Sequence, residues 1–436
     1  MMENRYDRYK DSGIAWIGEI PEHWEVKSIK TIFVESKETC NGENSILLSL
    51  SQYTGIKPKI ETDLATSHIA ESYEGYKLVK KGQFVMNIML AWNGSYAVSD
   101  YDGIISPAYC VFDFRRKVKE KYFHYLLRTS GYSEAFRTRS KGIIDSRLRL
   151  YPESFYKFDT IIPSLSEQQS IAAYLDQKCG EIDELITLQE EMITKLQSYK
   201  QSVITEAVTK GLDKNVPLKD SGIEWIGEIP KHWEASKTLF VLSMSITDGP
   251  HTTPELFETG IPFVSAEAVS FGNGRIDFSH IRGYISEIFY QECCKKYIPQ
   301  IDDIYMIKSG ATTGRVAIVD ADIKFTIWSP LAVFRCNKER MLPRFLFYQL
   351  QSNGYQKQIE LNWSYGTQQN IGMRTLEKLI LSVPPLSEQQ SIADYLDQRC
   401  SEIDELISIK QQKIEKLKEY KKSLIFECVT GKRKVS

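Results

Sequence analysis

The chain has 436 residues, 55 lysines and arginines against 57 aspartates and glutamates, and a formal net charge of −2. That balance excludes a strongly basic, free-standing nucleic-acid binder, and the 42% hydrophobic content excludes a largely disordered chain. The length predicts two or three domains.

The N-terminal residues MMENRYDRYKDSG lack the apolar stretch of a secretory leader, and no window is apolar enough for a membrane span. The eight scattered cysteines contain no CxxC pair, and the six histidines show no zinc spacing. A reduced, cytoplasmic protein is expected.

The first segment of note is DSGIAWIGEIPEHW, Asp11 to Trp24, which returns as DSGIEWIGEIPKHW, Asp220 to Trp233. SLSEQQSIAAYLDQKCGEIDELIT, Ser164 to Thr187, returns as PLSEQQSIADYLDQRCSEIDELIS, Pro385 to Ser408. The offsets are 220 − 11 = 209 and 385 − 164 = 221. An internal repeat constrains the whole architecture. It predicts six stretches: an N-terminal repeat segment (1–24), an interior (25–163), a spacer helix (164–211), a second repeat segment (212–234), a second interior (235–384) and a C-terminal spacer helix (385–431).

The interiors show little resemblance to each other. Both mix strand-like runs (IIDSRLRLY, FDTIIP, VAIVD, LAVFRC) with helical ones (VKEKYFHYLLRT, LPRFLFYQLQS), without regular βαβ alternation. Glycine-containing loops rich in polar donors stand out. In the first interior they are MLAWNGSY (89–96) and KGIIDSRLR (141–149), which offer Trp92, Asn93, Ser95, Arg147 and Arg149. In the second they are ITDGPHTTP (246–254), KSGATTGR (308–315) and YGTQQN (365–370), which offer Thr252, Ser309, Thr312, Arg315, Gln368, Gln369 and Asn370. Amides suit adenine edges, arginine suits guanine, and hydroxyls reach bases or phosphates.

Each spacer helix opens with a proline upstream (Pro163, Pro384) and a predicted capping box, Ser166 with Gln169 and Ser387 with Gln390. A heptad seam is predicted at Ile182, Leu185, Gln189, Met192, Leu196, Tyr199 and Val203, with Gly211 as the stop. The second copy has Ile403, Leu406, Leu417, Tyr420 and Leu424, stopping at Gly431, with Lys410 and Lys413 weakening the seam and Ile414 substituting locally. Neither helix, roughly 60 Å long at 1.5 Å per residue, buries such a seam alone, so the two are expected to pair antiparallel. The C-terminal helix ends where the N-terminal segment would continue, so the chain ends are expected to lie close together.

Catalytic motifs fail on inspection. KSGATTGR has three residues between Gly310 and Gly314 and an arginine where a phosphate loop has lysine. Phe271-Gly-Asn-Gly274 is no dinucleotide fingerprint, and SVPPL (382–386) lacks the amide and aromatic of a methyltransferase loop. Asp303 with Asp322-Ile-Lys324 is a chance-level likeness to a nuclease core.

The paired LSEQQ and WIGEIP segments, the DGPHTTP loop and the SG…GRVAIV stretch followed by GTQQNI resemble the DNA-specificity subunits (HsdS) of type I restriction-modification systems, over essentially the whole chain. The resemblance implies an α+β fold: two mixed α/β target-recognition domains separated by two long helices packed as an antiparallel coiled coil, with a pseudo-twofold internal repeat. It implies that each domain reads one half of a split double-stranded DNA site. The helices would set the spacing and dock two methyltransferase subunits, and a restriction subunit would join them. S-adenosylmethionine, ATP and Mg would belong to those partners, and this chain would hold no cofactor and catalyse nothing. A rod tens of Å long suits half-sites about one helical turn, ~34–36 Å, or more apart. The first interior departs from the pattern, with KKGQFVMNIMLAWNGSYAVSD in place of the SG…GRVAIV stretch and KGIIDSRLRLY in place of GTQQNI. The alternative class is a two-headed protein–protein scaffold that never touches DNA.

Overall fold

The computed structural model describes residues 5–40, 45–52, 54–59, 73–143, 147–365 and 369–435. The chain divides into two units, Met1–Gln189 with Gln412–Ser436, and Glu190–Gln411. Both long helices, Leu165–Lys210 and Leu386–Val429, contribute one part to each unit.

The two units contain the same sheet. In the first, four antiparallel strands lie in the order Phe33–Ser36, Tyr109–Phe114, Phe84–Asn87, Tyr96–Val98. In the second the order is Thr247–Asp248, Leu331–Phe334, Ile304–Ile307, Val316–Ile318. Numbered along the chain, both are strands 1-4-2-3. The pleat splits each central strand between two cores. Phe84 and Met86 face the large first-unit core while Val85 joins a smaller cluster with Leu48, Ile56 and Val111. Ile304 and Met306, against Tyr305 and Ile307, repeat this in the second unit. Burial on both faces explains why these strands read as continuous apolar runs rather than alternating ones.

A second pair of strands closes each interior: Glu25–Ser28 with Asp159–Ile162, and Glu234–Lys237 with Ile380–Val383. Helix Glu120–Leu127 packs Tyr122, Phe123, Leu126 and Leu127 inward, as helix Pro343–Gln351 does in the second unit. Of the expected strand IIDSRLRLY, residues 144–146 lie outside the described ones, and the described residues 147–151 form only a single bridge, from Arg149 to Lys141.

The repeated segment is a clip on the start of each long helix. Trp24 is fully buried and its Nε1 donates to Glu167 Oε1 at 3.1 Å, while His23 Nε2 is hydrogen-bonded to the same oxygen at 2.8 Å. In the second copy Trp233 donates to Glu388 Oε2 at 3.0 Å and His232 is hydrogen-bonded to Glu388 Oε1 at 2.7 Å. The next residue is equally fixed. Gln168 accepts from Lys119 N and donates to Pro163 O, and Gln389 accepts from Leu342 N and donates to Pro384 O. These glutamines tie each long helix to the N-terminus of the helix packed on it.

The capping box therefore sits two residues earlier than the sequence predicted. Ser164 and Glu167 exchange the reciprocal bonds, Glu167 N to Ser164 Oγ at 3.3 Å and Ser164 N to Glu167 Oε2 at 3.1 Å. Pro385 replaces Ser164 in the second copy, so Glu388 N bonds to the Pro385 carbonyl instead.

The other end of each long helix meets the same clip. Gly431, at φ 72°, lies under Trp24 and Pro21, where a Cβ would come within 2.3 Å of Pro21. Gly211, at φ 75°, lies under Trp233. Tyr9 Oη donates to Gly431 O at 3.0 Å, so the first unit is completed by the end of the last helix, and the chain ends meet as expected.

The helix pairing is an antiparallel coiled coil. In the first unit Asp183 pairs with Lys421 at 2.6 Å and Tyr174 with Arg433, and in the second Lys200 pairs with Asp404 at 2.7 Å. Asp183 and Asp404, like Lys421 and Lys200, are 221 residues apart, so one ion pair is used twice.

The seam keeps Ile182, Gln189, Leu196 and Val203, but the positions between them fall one residue later than predicted, at Ile186, Ile193 and Lys200. Leu185, Met192 and Tyr199 are exposed. In the second helix Ile403, Leu417 and Leu424 lie in the seam, joined by Ile407, Lys410, buried Ile414 and Lys421, while Leu406, Tyr420 and Lys413 face outward. Three-four and four-three alternations share every second position, and residue type alone favoured the more apolar choice.

Two outcomes test this fold. Ile182→Asp, which buries a charge, should lower stability by about 3 kcal/mol or more, whereas Leu185→Asp should stay within about 0.5 kcal/mol, read as urea midpoints; equal losses would refute the observed phase. Burial alone would raise the Glu167 carboxyl, but hydrogen bonds from His23, Ser164 and Trp24 hold it down at about 2. A depressed carboxylate stabilises above its unfolded value near 4.3 and loses that contribution as pH falls through the folded one. The stability deficit of Glu167→Gln should therefore be full at pH 6 and vanish towards pH 2; a deficit independent of pH would refute the clip's ionic character.

Candidate nucleic-acid interface

In each unit the hairpin between the third and fourth strands of the sheet order projects a loop, and a second loop from the region before the long helix closes against it. In the second unit the hairpin loop is Lys308–Arg315. Gly314 N bonds to Ile307 O at 2.8 Å and Thr313 Oγ1 to Gly310 O at 2.7 Å, with Gly310 and Gly314 at φ 105° and 94°. The positive φ of Gly314 favours glycine there, and a Cβ would also displace the Gln356 amide, 2.4 Å away. Strands Ser364–Tyr365 and Gln369–Asn370 carry the second loop. Gly310 N donates to Gln369 O at 3.0 Å and Ile371 N to Lys308 O at 2.9 Å.

The structure thus brings Ser309, Thr312, Arg315, Gln369 and Asn370 together. Arg315 and Asn370 are exposed, and the others are half-buried. Arg315 Nη1 donates to Ser270 O at 3.2 Å, and Thr312 Oγ1 accepts from Ser270 Oγ at 3.2 Å, so these two are steered by a segment the sequence had not singled out. Gln368 lies outside the described residues.

Thr252 is exposed on a separate loop, joined to the hairpin through Asp248. The Asp248 carboxylate is almost wholly buried and pairs with Lys296, with Lys308 at 3.3 Å and with His251 at 3.2 Å. Burial would raise its pKa, yet Lys296 and Lys308 keep it below the ordinary value. Asp248 and Lys308 went unnoticed in the sequence, although each sits inside a loop that was noted; only the fold shows that they touch.

The first unit repeats the arrangement with different side chains. The loop from Ile88 to Ser95 is closed by Leu150 N to Ile88 O at 2.9 Å, the counterpart of Ile371 to Lys308. Trp92 is half-buried, its Nε1 donating to Met89 O, with Arg137 stacked over the ring at 5.6 Å. Asn93 is also half-buried, and its Oδ1 accepts from Ser95 Oγ at 3.3 Å. Ser95 is buried, so its hydroxyl shapes the loop rather than facing a ligand. Half-buried Arg128 clamps the loop through the carbonyls of Gly94 and Tyr96. Arg147 is exposed and Arg149 half-buried, beside Lys141. Arg137, over the Trp92 ring, adds a further cation beside the first loop.

The nuclease-like reading fails on geometry. Asp303 is buried and held by Arg335 Nε and Nη2, both at 2.7 Å, while Lys324 pairs with Glu287. Among the described residues no group of three or more His, Cys, Asp or Glu side chains is placed to hold a metal, and no helix is long and apolar enough to cross a membrane.

The chain is an internally duplicated α+β protein whose two units present equivalent loop pairs, unlike in chemistry, on one repeated frame. Residues 250–419 match the family model described as the type I restriction modification DNA specificity domain. The type I restriction enzyme MjaVIII specificity subunit of Methanocaldococcus jannaschii is 25% identical over 429 residues, 95% of this chain and 94% of that one. The putative MjaX specificity subunit of the same organism is 25% identical over 438 residues, 96% of each. A chain from a structure of a type I R-M system, described in terms of complex assembly and conformational transition, superposes with a TM-score of 0.68 at 17% identity, covering 94% of this chain and 98% of that one. The HsdS subunit from Thermoanaerobacter tengcongensis gives 0.50 at 18%, with the same coverages. Over nearly its whole length the chain is thus similar in sequence to type I restriction enzyme specificity subunits, and in fold to an HsdS subunit.

The hairpin loop offers its own test. Gly314→Ala combines a positive φ with a Cβ inside the Gln356 contact and should destabilise by about 1–3 kcal/mol, whereas Arg315→Ala, exposed, should stay within about 0.5 kcal/mol in the same melts. A neutral Gly314→Ala would mean that this loop is not held in the observed shape.

Proposed function

We propose that each unit reads one half of a bipartite double-stranded DNA site through its hairpin loop and the loop that closes on it. The observation that carries this reading is a pair of equivalent hydrogen bonds, Ile371 to Lys308 and Leu150 to Ile88, that close chemically unlike loops on two sheets of the same order. A common scaffold with exchanged contact residues is what reading two different half-sites requires. The near-neutral net charge fits a subunit that shares phosphate contacts with partners, because each phosphate neutralised contributes to affinity. The long helices set the distance between half-sites and dock two methyltransferase subunits.

The residues excluded from the seam support the docking. Leu185, Leu188 and Tyr420 of the first unit are 44%, 47% and 52% exposed. Their repeat equivalents Leu406, Ile409 and Tyr199 of the second are 46%, 51% and 48% exposed. Each unit thus carries the same apolar patch, fit for one copy of the same partner. A restriction subunit completes the assembly, and S-adenosylmethionine, ATP and Mg belong to the partner subunits.

Methylome sequencing of cells carrying the system, before and after exchange of residues 25–163 with another subunit's interior, tests the reading. One half of the methylated site should change while the other half and the gap persist. Absence of any bipartite methylated site would favour a protein scaffold. Leu188→Asp or Ile409→Asp alone should reduce methyltransferase stoichiometry from two to one in native mass spectrometry, and the double variant to none; unchanged stoichiometry would refute the patches.

A further inference from the structure

Phe271 is 63% exposed, yet it is not loose. Its ring stacks on His280 with centroids 4.4 Å apart and planes at 20°. His280 Nδ1 is hydrogen-bonded to Asp277 Oδ2 at 2.7 Å, and Asp277 Oδ1 accepts from Ser279 N at 2.9 Å. Asp277 N in turn donates to Ala268 O at 3.0 Å, returning to the helix that ends at Phe271. The turn between is tight: Arg275 N bonds to Gly272 O at 3.0 Å, and Asn273 adopts φ 45°.

This segment is bolted to the second unit's hairpin at three points. Ser270, next to Phe271, donates from its hydroxyl to Thr312 and accepts from Arg315 through its carbonyl. Beyond the turn, Ile318 N, on the strand leaving the hairpin, donates to Gly274 O at 3.0 Å. A single exposed apolar side chain is ordinary on a protein surface. An aromatic plate seated on a histidine, with that histidine anchored by an aspartate, on the rim of a donor-lined loop, is a preorganised contact with little side-chain entropy left to lose. It is apolar and flat where Thr312 and Arg315 are polar. The apolar feature that base edges offer in the major groove is the thymine C5-methyl group.

We propose that Phe271, planted on His280, is a specificity-determining residue of the second unit that packs against the methyl group of a thymine beside the bases reached by Thr312 and Arg315. The proposal rests on the DNA reading above. It is tested with the full chain and its methyltransferase subunits, binding a duplex library randomised over the target site. Wild type should select a bipartite site. Phe271→Ala should select the same first half-site and lose a thymine preference at one position of the second, and His280→Ala should weaken preference at that position. Replacing that thymine by uracil, which removes only the methyl group, should weaken wild-type binding about tenfold and leave Phe271→Ala unaffected. Identical selection profiles for wild type and Phe271→Ala overturn the proposal, whatever happens to overall affinity. So does a Phe271→Ala complex that keeps its DNA profile but loses a methyltransferase subunit, which would make the plate a protein contact. If wild type selects no bipartite site, the DNA reading itself falls, and this inference with it. Because Phe271 is exposed, its removal leaves no buried cavity, and folding does not confound the result.

Discussion

The contact on which both units depend is the carboxylate at the start of each long helix. Glu167 takes hydrogen bonds from an indole, an imidazole and a serine; Glu388 takes the first two. It lies in the first turn, where a negative charge is favoured by the helix dipole. The clip segment, the sheet-closing strands and the start of the long helix all meet there, so within each unit the helix start is held by a side-chain cluster. The same clip presses on Gly211 or Gly431, which ties the far end of the other helix's repeat to the same spot.

The second constraint is the polarity of the helix seam. Gln189, Lys200, Lys410 and Lys421 occupy positions that leucine would fill more stably. Lys200 and Lys421 answer Asp404 and Asp183, and such pairs favour one register and the antiparallel direction over others. The sacrifice in apolar contact is modest, because the aliphatic stems of lysine still cover the seam. What is gained is a helix pair whose outward apolar residues recur at matched positions in both units.

Duplication explains why loops of unlike chemistry occupy one geometry. The sheet order 1-4-2-3, the closing strand pair and the bond between hairpin and closing loop are common to both units, while Trp92 stands in one hairpin and Thr312 and Arg315 in the other. The second interior adds helices Ala266–Phe271 and Glu287–Cys294, whereas the first adds the hairpin Leu48–Ser51 with Gly55–Pro58. Contact residues thus vary in loops carried by a rigid scaffold, the usual division of labour between the two.

Much of this was legible in the chain itself: the repeat, the long helices, their antiparallel pairing, the meeting of the chain ends, and the loops that carry the candidate contacts. These depend on periodicity and near-identity, which survive without knowledge of neighbours. The seam's phase was not legible, because Leu185 and Ile186 are equally apolar and only the opposing helix decides which is covered. Nor was the capping box, since Ser164 and Ser166 are both good caps and the choice falls to His23 and Trp24, more than 140 residues away in sequence. The common sheet within dissimilar interiors, the Asp248–Lys308 link between two loops and the Phe271–His280 plate beside a third are likewise tertiary facts. Each joins segments whose local sequence satisfies itself equally well apart, so only the free energy of packing them together selects the arrangement.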